Sequence, residues 1–444
     1  MNTKKTGKRS LYYDAVLKLL DDDIRPELGS TRSLYAFNFV RRELARLAAL
    51  NDYEPFLPEN LAALHPDAQP TTGTALAGDA LRAAVAHEGK LLDEIEAATD
   101  ARLQPRERKV TETSTALPEG LTPQSLQSYL RKAFDPAISV TALRVLSGGR
   151  SKQTILVVVK DGAGKEAERI IRRDLSTSPT GSTVADEYEL LRILSDSGVQ
   201  VPRPLHCEPD TGKFGWPFII VDKVNGALSG HIYDPPGRTG VLDSARALGR
   251  LHAISAAKVA PTIPAPRNVA PDRAALRALL ASMQDTWNQR AREPSVSIDA
   301  AFAWMNANIE QLNPLVSVVH GDYSYHNILF DSDNLSAILD WELARIGHPA
   351  EDLGYVRPAA LKSVAWEDFM AAYREGGGPD ITPVEVVFYT LLEKLRLLIM
   401  MFKARDFVDN GLTDDIEFID AFVISMPRVV HQASVEVRKV MGIS

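Results

Sequence analysis

The stretch that most constrains this chain is His320-Gly321-Asp322-Tyr323-Ser324-Tyr325-His326-Asn327-Ile328-Leu329-Phe330. The polar turn Asp331-Ser332-Asp333-Asn334 follows, and then Leu335-Ser336-Ala337-Ile338-Leu339-Asp340-Trp341-Glu342. Two short apolar runs on either side of a turn of Asp, Ser and Asn predict a β-hairpin. Asp322 and Asn327 lie just ahead of the first strand and Asp340 closes the second. Pairing the strands brings these three oxygen-bearing side chains to one end of the ribbon. Elsewhere Asp and Asn in such places cap turns and stay solvated; here their convergence points to chemistry.

Phosphoryl transfer from ATP needs magnesium on the phosphates, a carboxylate facing the attacking hydroxyl, and little covalent work from the protein. Hard cations take oxygen ligands, so Asn327 and Asp340 are candidate magnesium ligands. Asp322 is then free to accept the hydroxyl proton. Protein kinases carry His-Arg-Asp, four residues, Asn, and a later Asp-Phe-Gly. The same frame stands here as His-Gly-Asp, four residues, Asn, and Asp-Trp-Glu. On these residues the chain resembles the aminoglycoside phosphotransferase and choline kinase-like family of small-molecule kinases. The resemblance covers about the last three quarters of the chain. It implies an α+β, protein-kinase-like two-lobe fold: an antiparallel β-sheet N-lobe over 122–225 and a mostly helical C-lobe with the catalytic loop over 226–444.

Composition sets wider bounds. A chain of 444 residues has room for two or three domains, and 45% hydrophobic with 24% charged residues is ordinary for a soluble globular protein. A formal net charge of -8 argues against a nucleic-acid partner. The single cysteine, Cys207, rules out an intrachain disulfide. Leu11 to Leu20 contains Asp14 and Lys18 and is no signal-peptide core, and Leu397 to Phe402 is too short to span a bilayer. The expectation is a cytoplasmic protein that acts on a small molecule, with neither nucleic acid nor membrane as partner.

Residues 1–105 read as a helical N-terminal extension. Leu34, Phe37, Val40, Leu44 and Leu47 recur at helical spacing, and a second helix is expected from about Ala75 to Ala98, with Leu81, Val85, Leu91 and Ile95 on one face. Pro55, Pro58, Pro66 and Pro70 break the chain between them. The extension holds no catalytic constellation; packing on the kinase body or on a second subunit is expected, which leaves homo-oligomerisation open. Residues 106–121 have linker composition. Thr122-Pro123 opens a helix that buries Leu126, Tyr129, Leu130 and Phe134. Near the C-terminal end, Val384 to Phe407 and Ile416 to Val440 read as helices, with Pro427 kinking or starting the second.

Between two strand patterns lies Ser147-Gly148-Gly149-Arg150-Ser151-Lys152. A glycine turn lets backbone N–H groups approach phosphate oxygens, which makes Gly148, Gly149 and Ser151 candidate nucleotide contacts. Asp161-Gly162-Ala163-Gly164-Lys165 lacks the first Gly and final Ser or Thr of a Walker A loop and reads as a hairpin tip. Strand alternation puts Ile170 and Arg172 on one face of the next strand.

The resemblance assigns further roles. It implies that Arg172 replaces the lysine that holds the α- and β-phosphates, a task a bidentate guanidinium can perform. Glu187, on a helix from Val184, would pair with it. In the hinge-like Asp222-Lys223-Val224-Asn225-Gly226, the Asp222 carbonyl and the Val224 N–H would hold adenine. The helix ending Leu248-Gly249-Arg250-Leu251-His252 would pack beneath the catalytic loop. His252, His320, His326 and His348 read as structural histidines, because magnesium prefers oxygen and their spacing matches no metal site. His348 stands where relatives have the Asp of Gly-Asp-Pro, and Asp352 fits the position that braces the catalytic loop. Glu342 replaces the glycine of protein kinases and argues against their activation flip. Gly376-Gly377-Gly378-Pro379 and the helix after it resemble the family branch found beside acyl-CoA dehydrogenases. The acceptor is then aminoglycoside-like, choline-like or a hydroxyacyl metabolite. The competing reading is a nucleotide-binding pseudoenzyme whose N-terminal helices recruit a partner.

Overall fold

The computed structural model describes residues 79–102, 117–146, 152–174, 183–210, 214–228, 235–291, 295–409 and 425–443, together with Arg42, Ala45 and Arg46. In chain order the helices and strands are α1 (Asp79–Arg102), α2 (Pro123–Ala133), β1 (Ser139–Leu146), β2 (Lys152–Lys160), β3 (Glu166–Asp174), α3 (Val184–Asp196), β4 (Pro204–Glu208), β5 (Phe218–Asp222) and β6 (Ala227–Leu228). They continue with α4 (Arg238–His252), α5 (Ala256–Val259), α6 (Arg273–Arg290), α7 (Val296–Asn308), β7 (Ser317–Val319), β8 (Ile328–Asp331), β9 (Asn334–Ile338) and β10 (Arg345–Gly347). The last are α8 (Ala350–Ala360), α9 (Trp366–Glu375), α10 (Pro383–Asp409) and α11 (Met426–Val440). Two compact units emerge: one of residues 110–271 and 313–382, the other of 1–109, 272–312 and 383–444.

In the first unit β1-β2-β3-β5-β4 form one antiparallel sheet in that order. Strand alternation puts Ile155, Val157 and Ile171 on one face, where they join Leu126 and Leu130 of α2 in a buried cluster. Helix α2 begins with Thr122 accepting from the Ser125 N–H and with Pro123 in its first turn, as Thr-Pro predicts. The opposite face carries Lys152, Arg172 and Asp174. A second cluster joins Leu190, Leu191 and Leu194 of α3 to Leu248 and Leu251 of α4 and to Ile328 and Ile338 of the hairpin. That hairpin, β8–β9, pairs as the polar turn predicts and takes β6 as a third strand; β7 pairs with β10. Helices α4 and α9 approach at Gly249 and Gly376: a Cβ on the first would run into the Tyr373 carbonyl, and one on the second into the Arg246 carbonyl. The antiparallel sheet and the mainly helical remainder agree with the α+β, protein-kinase-like expectation.

The second unit is helical among its described residues. Helix α1 covers Asp79–Arg102, overlapping the expected span of about Ala75 to Ala98, whose first residues lie outside the described ones, and it packs with α7 and α11. Its polar side chains hold it there. Glu88 accepts from the Ser297 N–H at 2.7 Å, and Asp93 receives His431 Nε2 at 2.7 Å and Arg438 Nη2 at 2.8 Å. Leu81, Val85, Leu91 and Ile95 are all buried, as expected. Pro427 lies in the first turn of α11, where its missing N–H is harmless. The expected helix around Leu34 to Ala48 lies mostly outside the described residues. No described helix is long and apolar enough to cross a membrane.

Candidate functional site

The loop after β7 is built on Asp352. This carboxylate, at the start of α8, accepts from the backbone N–H of His320 at 2.7 Å and of Gly321 at 2.9 Å, and lies 3.1 Å from His252 Nε2. The other His252 nitrogen, Nδ1, meets the Tyr373 hydroxyl at 2.8 Å. Asp352 is buried, and burial alone would raise its pKa; the His252 contact, the His320 ring and the His320 N–H outweigh it and hold the carboxyl below its usual range. Gly321 has φ +83, and a Cβ there would strike the Leu343 carbonyl and the Arg345 guanidinium. So tight a turn puts the next side chain, Asp322, where it can be held from several sides.

Asp322 Oδ2 accepts from Asn327 Nδ2 at 3.0 Å and lies 3.6 Å from His326 Nε2. The same amide nitrogen donates to the Asp322 carbonyl at 3.1 Å. Burial pushes the Asp322 pKa up, but the His326 hydrogen bond and charge, the Tyr355 hydroxyl and the His320 ring bring it below the usual range. Its second oxygen, Oδ1, is buried without a hydrogen-bond partner among the described residues. Asn327 closes a 3₁₀ turn, Tyr325–Asn327. Its carbonyl accepts from the Leu339 N–H at 2.8 Å, and His320 Nε2 meets the Leu339 carbonyl at 2.8 Å. The end of β9 is thus tied to the loop, and the next residue, Asp340, turns with φ +64. Asp is one of the few non-glycine residues that adopts this left-handed conformation readily.

Asp340 faces the sheet. Arg172 Nη2 lies 3.4 Å from Asp340 Oδ1, and Arg172 Nη1 lies 3.2 Å from Glu187 Oε2. Glu187 is 1% exposed, and burial pushes its carboxyl up to about 7 against the opposing pull of Arg172 and Lys152. For Arg172, burial acts to lower the pKa, and the charges of Glu187, Asp340 and Glu342 more than reverse it. Carboxylate oxygens of Glu187, Asp340 and Glu342 come within 4.8 Å of one another. These three carboxylates are an all-oxygen donor set, the chemistry a hard divalent cation takes.

Asp322, Asn327, Asp340, Arg172, Glu187, His320 and Asp352 therefore belong to one connected network. Asp222 ends β5, with its carboxylate on Arg169 at 3.1 Å and Arg203 at 2.8 Å; Val224 follows in the short segment before β6. Gly148, Gly149 and Ser151 lie outside the described residues. His348 accepts from the Ala350 N–H at 3.1 Å through Nδ1 and so finishes the start of α8. Sequence reasoning missed Lys152, which sits 2.5 Å from Asp174 and 3.9 Å from Glu187. It also missed the Tyr355 hydroxyl on Asp322. Strand alternation puts Lys152 on the face of Thr154, but its place opposite Asp174 comes from the β2–β3 pairing; nothing in the sequence marks Tyr355.

Comparison with known proteins bears on the family and the fold. A model described as the phosphotransferase enzyme family matches residues 142–387. Mouse acyl-CoA dehydrogenase family member 10 is 24% identical over 277 residues, covering 56% of this chain and 23% of that protein. The chain spans about a quarter of the length of the curated relatives it matches. A crystal structure described as a putative aminoglycoside phosphotransferase from Ralstonia eutropha JMP134 superposes with a TM-score of 0.53 at 19% identity, covering 71% of this chain and 98% of that one. The spectinomycin phosphotransferase APH(9)-Ia, in complex with ADP and spectinomycin, superposes with a TM-score of 0.50 at 12% identity, covering 72% of this chain and 100% of that one.

Proposed function

From the premise that the chain belongs to the phosphotransferase enzyme family, we propose that it moves the γ-phosphoryl group of ATP, with magnesium, to a hydroxyl of a small molecule. The observation that carries this reading is the Asn327 amide bound to Asp322 Oδ2 at 3.0 Å, with Asp322 Oδ1 buried and without a partner. Asp322 is ionised, with one oxygen held by Asn327 and the other left without a hydrogen-bond partner among the described residues. It orients the acceptor hydroxyl and takes its proton as the new O–P bond forms and the bond from the γ-phosphorus to the β,γ-bridging oxygen breaks. Asp340 and the Asn327 side-chain oxygen would hold the magnesium ion, which when bound neutralises phosphate charge. Arg172, steadied by Glu187, meets the phosphates, with Gly148, Gly149 and Ser151 as further contacts. The Asp222 carbonyl and the Val224 N–H hold the base. Asp352 and His320 keep the loop in shape and take no part in the chemistry.

Acceptor classes in keeping with the family are aminoglycoside-like, choline-like and hydroxyacyl compounds. The partial relatedness to acyl-CoA dehydrogenase family members favours the last as the first to try. The test is a screen of such compounds for consumption of ATP γ-phosphate, run with wild type and Asp322→Ala. Acceptor-dependent turnover lost in the variant is the expected result. Nucleotide binding with no turnover on any acceptor, and no difference between the two proteins, would favour a pseudoenzyme.

A further inference from the structure

Glu187 reaches Arg172 only if α3 is held at the right place along the sheet. The residue that holds it is on β2. Lys152 is the first residue of that strand, three places after Gly149, and it stands opposite Asp174 in the β2–β3 register. Its side chain is 2% exposed, with Nζ 2.5 Å from Asp174 Oδ1 and 3.9 Å from Glu187 Oε1. The other Asp174 oxygen, Oδ2, accepts at 3.2 Å from the N–H of Val184, the first residue of α3. That N–H is one of the donors a helix start leaves without an internal partner, and a carboxylate there also suits the helix dipole. One ammonium thus binds the carboxylate that links the end of β3 to the first turn of α3, and lies 3.9 Å from the Glu187 oxygen that Arg172 does not use. Charge alternates without a break through Asp174, Lys152, Glu187, Arg172 and Asp340.

This arrangement matters when phosphate arrives. A guanidinium drawn to phosphate loosens its hold on Glu187, and a buried carboxylate without a cation is costly. Lys152 on the far oxygen keeps Glu187 compensated throughout. We infer that Lys152 is a positioning residue for the phosphate-binding side of the site: it fixes Glu187 and the start of α3 so that Arg172 is presented to the nucleotide. An ammonium, absent from the Arg172 position on β3, is thereby supplied from β2. The inference rests on the nucleotide-binding reading given above.

The test is calorimetric binding of magnesium-ADP to the full chain, with adenosine as the probe that lacks phosphates. The proteins are wild type, Lys152→Met, Lys152→Arg, Glu187→Gln and the Lys152→Met/Glu187→Gln double variant. Because contacting residues couple, Lys152→Met is expected to weaken ADP ~10-fold on its own and less than ~2-fold in the Glu187→Gln background. Lys152→Arg restores most of the loss, and adenosine binding stays unchanged. Unaltered ADP binding by Lys152→Met, full additivity with Glu187→Gln, or an equal loss of adenosine would each overturn the inference while leaving the phosphotransferase reading intact. Wild type that binds no nucleotide overturns both. If Lys152→Met does not fold, Asp174→Asn decides in its place: weaker ADP with unchanged adenosine supports the inference, and unchanged ADP overturns it.

Discussion

Asn327 donates twice to Asp322 from one nitrogen, to its carboxylate at 3.0 Å and to its carbonyl at 3.1 Å. The carboxylate plane is therefore set by the residue five places on, and the unused oxygen is aimed rather than mobile. A group that acts as proton acceptor typically contributes ~100-fold to 10,000-fold in rate. Asp322→Asn should lose that much acceptor phosphorylation in a steady-state assay and bind magnesium-ADP within about threefold of wild type.

The role proposed for Asp340 is to hold the cation rather than the fold. Wild type should melt higher with ATP and magnesium together, by roughly 2.7 kcal/mol of linkage at a hundredfold excess over Kd. Asp340→Asn should keep its unliganded melting temperature and lose the magnesium-dependent part of the shift. A full shift retained in the variant would remove Asp340 from the metal site.

Asp352 should be a stability residue. Replacing it by Ala strands the N–H groups of His320 and Gly321 and the ring of His252, and breaking such a buried charged network costs about 3–5 kcal/mol. Its carboxyl is depressed in the folded chain, so its stabilisation is present above the unfolded value of about 3.9 and is lost as pH falls through the folded value. Acid unfolding of Asp352→Asn, followed by circular dichroism, should show a shallower loss of stability below about pH 4.

Lys394 also makes stability rise with pH, but its shift costs stability at neutral pH, where that of Asp352 adds to it. Burial pushes this ammonium down to about 8, against the pull of Glu436 and Glu393. A depressed lysine binds fewer protons when folded, so stability rises with pH between about 8 and the unfolded value of about 10.4. Glu393 keeps Arg396, and Glu436 keeps Lys439 at 2.8 Å, if the lysine is removed. Lys394→Met should abolish the alkaline rise and stabilise the protein at pH 7 by up to roughly 3 kcal/mol in chemical denaturation.

Gly249 allows no side chain where α4 meets α9. Gly249→Ala should lower the melting temperature through overpacking of about 1–3 kcal/mol. It should impair transfer only as far as the loop above His252 is displaced, so kcat measured well below the new midpoint reports that coupling.

Much of the site was legible because its spacing is chemical. Asp322, Asn327 and Asp340 carry their meaning in residue type, distance along the chain and a turn that any hairpin would use. Arg172 and Glu187 were expected from the family resemblance, with strand alternation and a place early in a helix only consistent with it. The register of β2 against β3 is a tertiary fact, and with it the meeting of Lys152 and Asp174; short apolar strands specify their pairing only once a core is formed. Tyr355 reaches Asp322 from a helix thirty residues on, and no local pattern carries so distant a contact. Helix α1 was visible by period, yet its partners on α7 and α11 lie over two hundred residues away in sequence and leave no mark near Leu81.

The unit that contains α1 is threaded from three separate stretches of polypeptide. During synthesis α1 leaves the ribosome long before α11 exists, so Asp93 waits for His431 and Arg438 while only α7 is there to cover part of its helix. Non-local pairing of this kind is slow to form and exposed to chaperones and aggregation meanwhile. A nascent chain halted at residue 382 should therefore leave the α11 side of α1 more protease-sensitive than in the full chain, and synthesis of residues 383–444 should protect it.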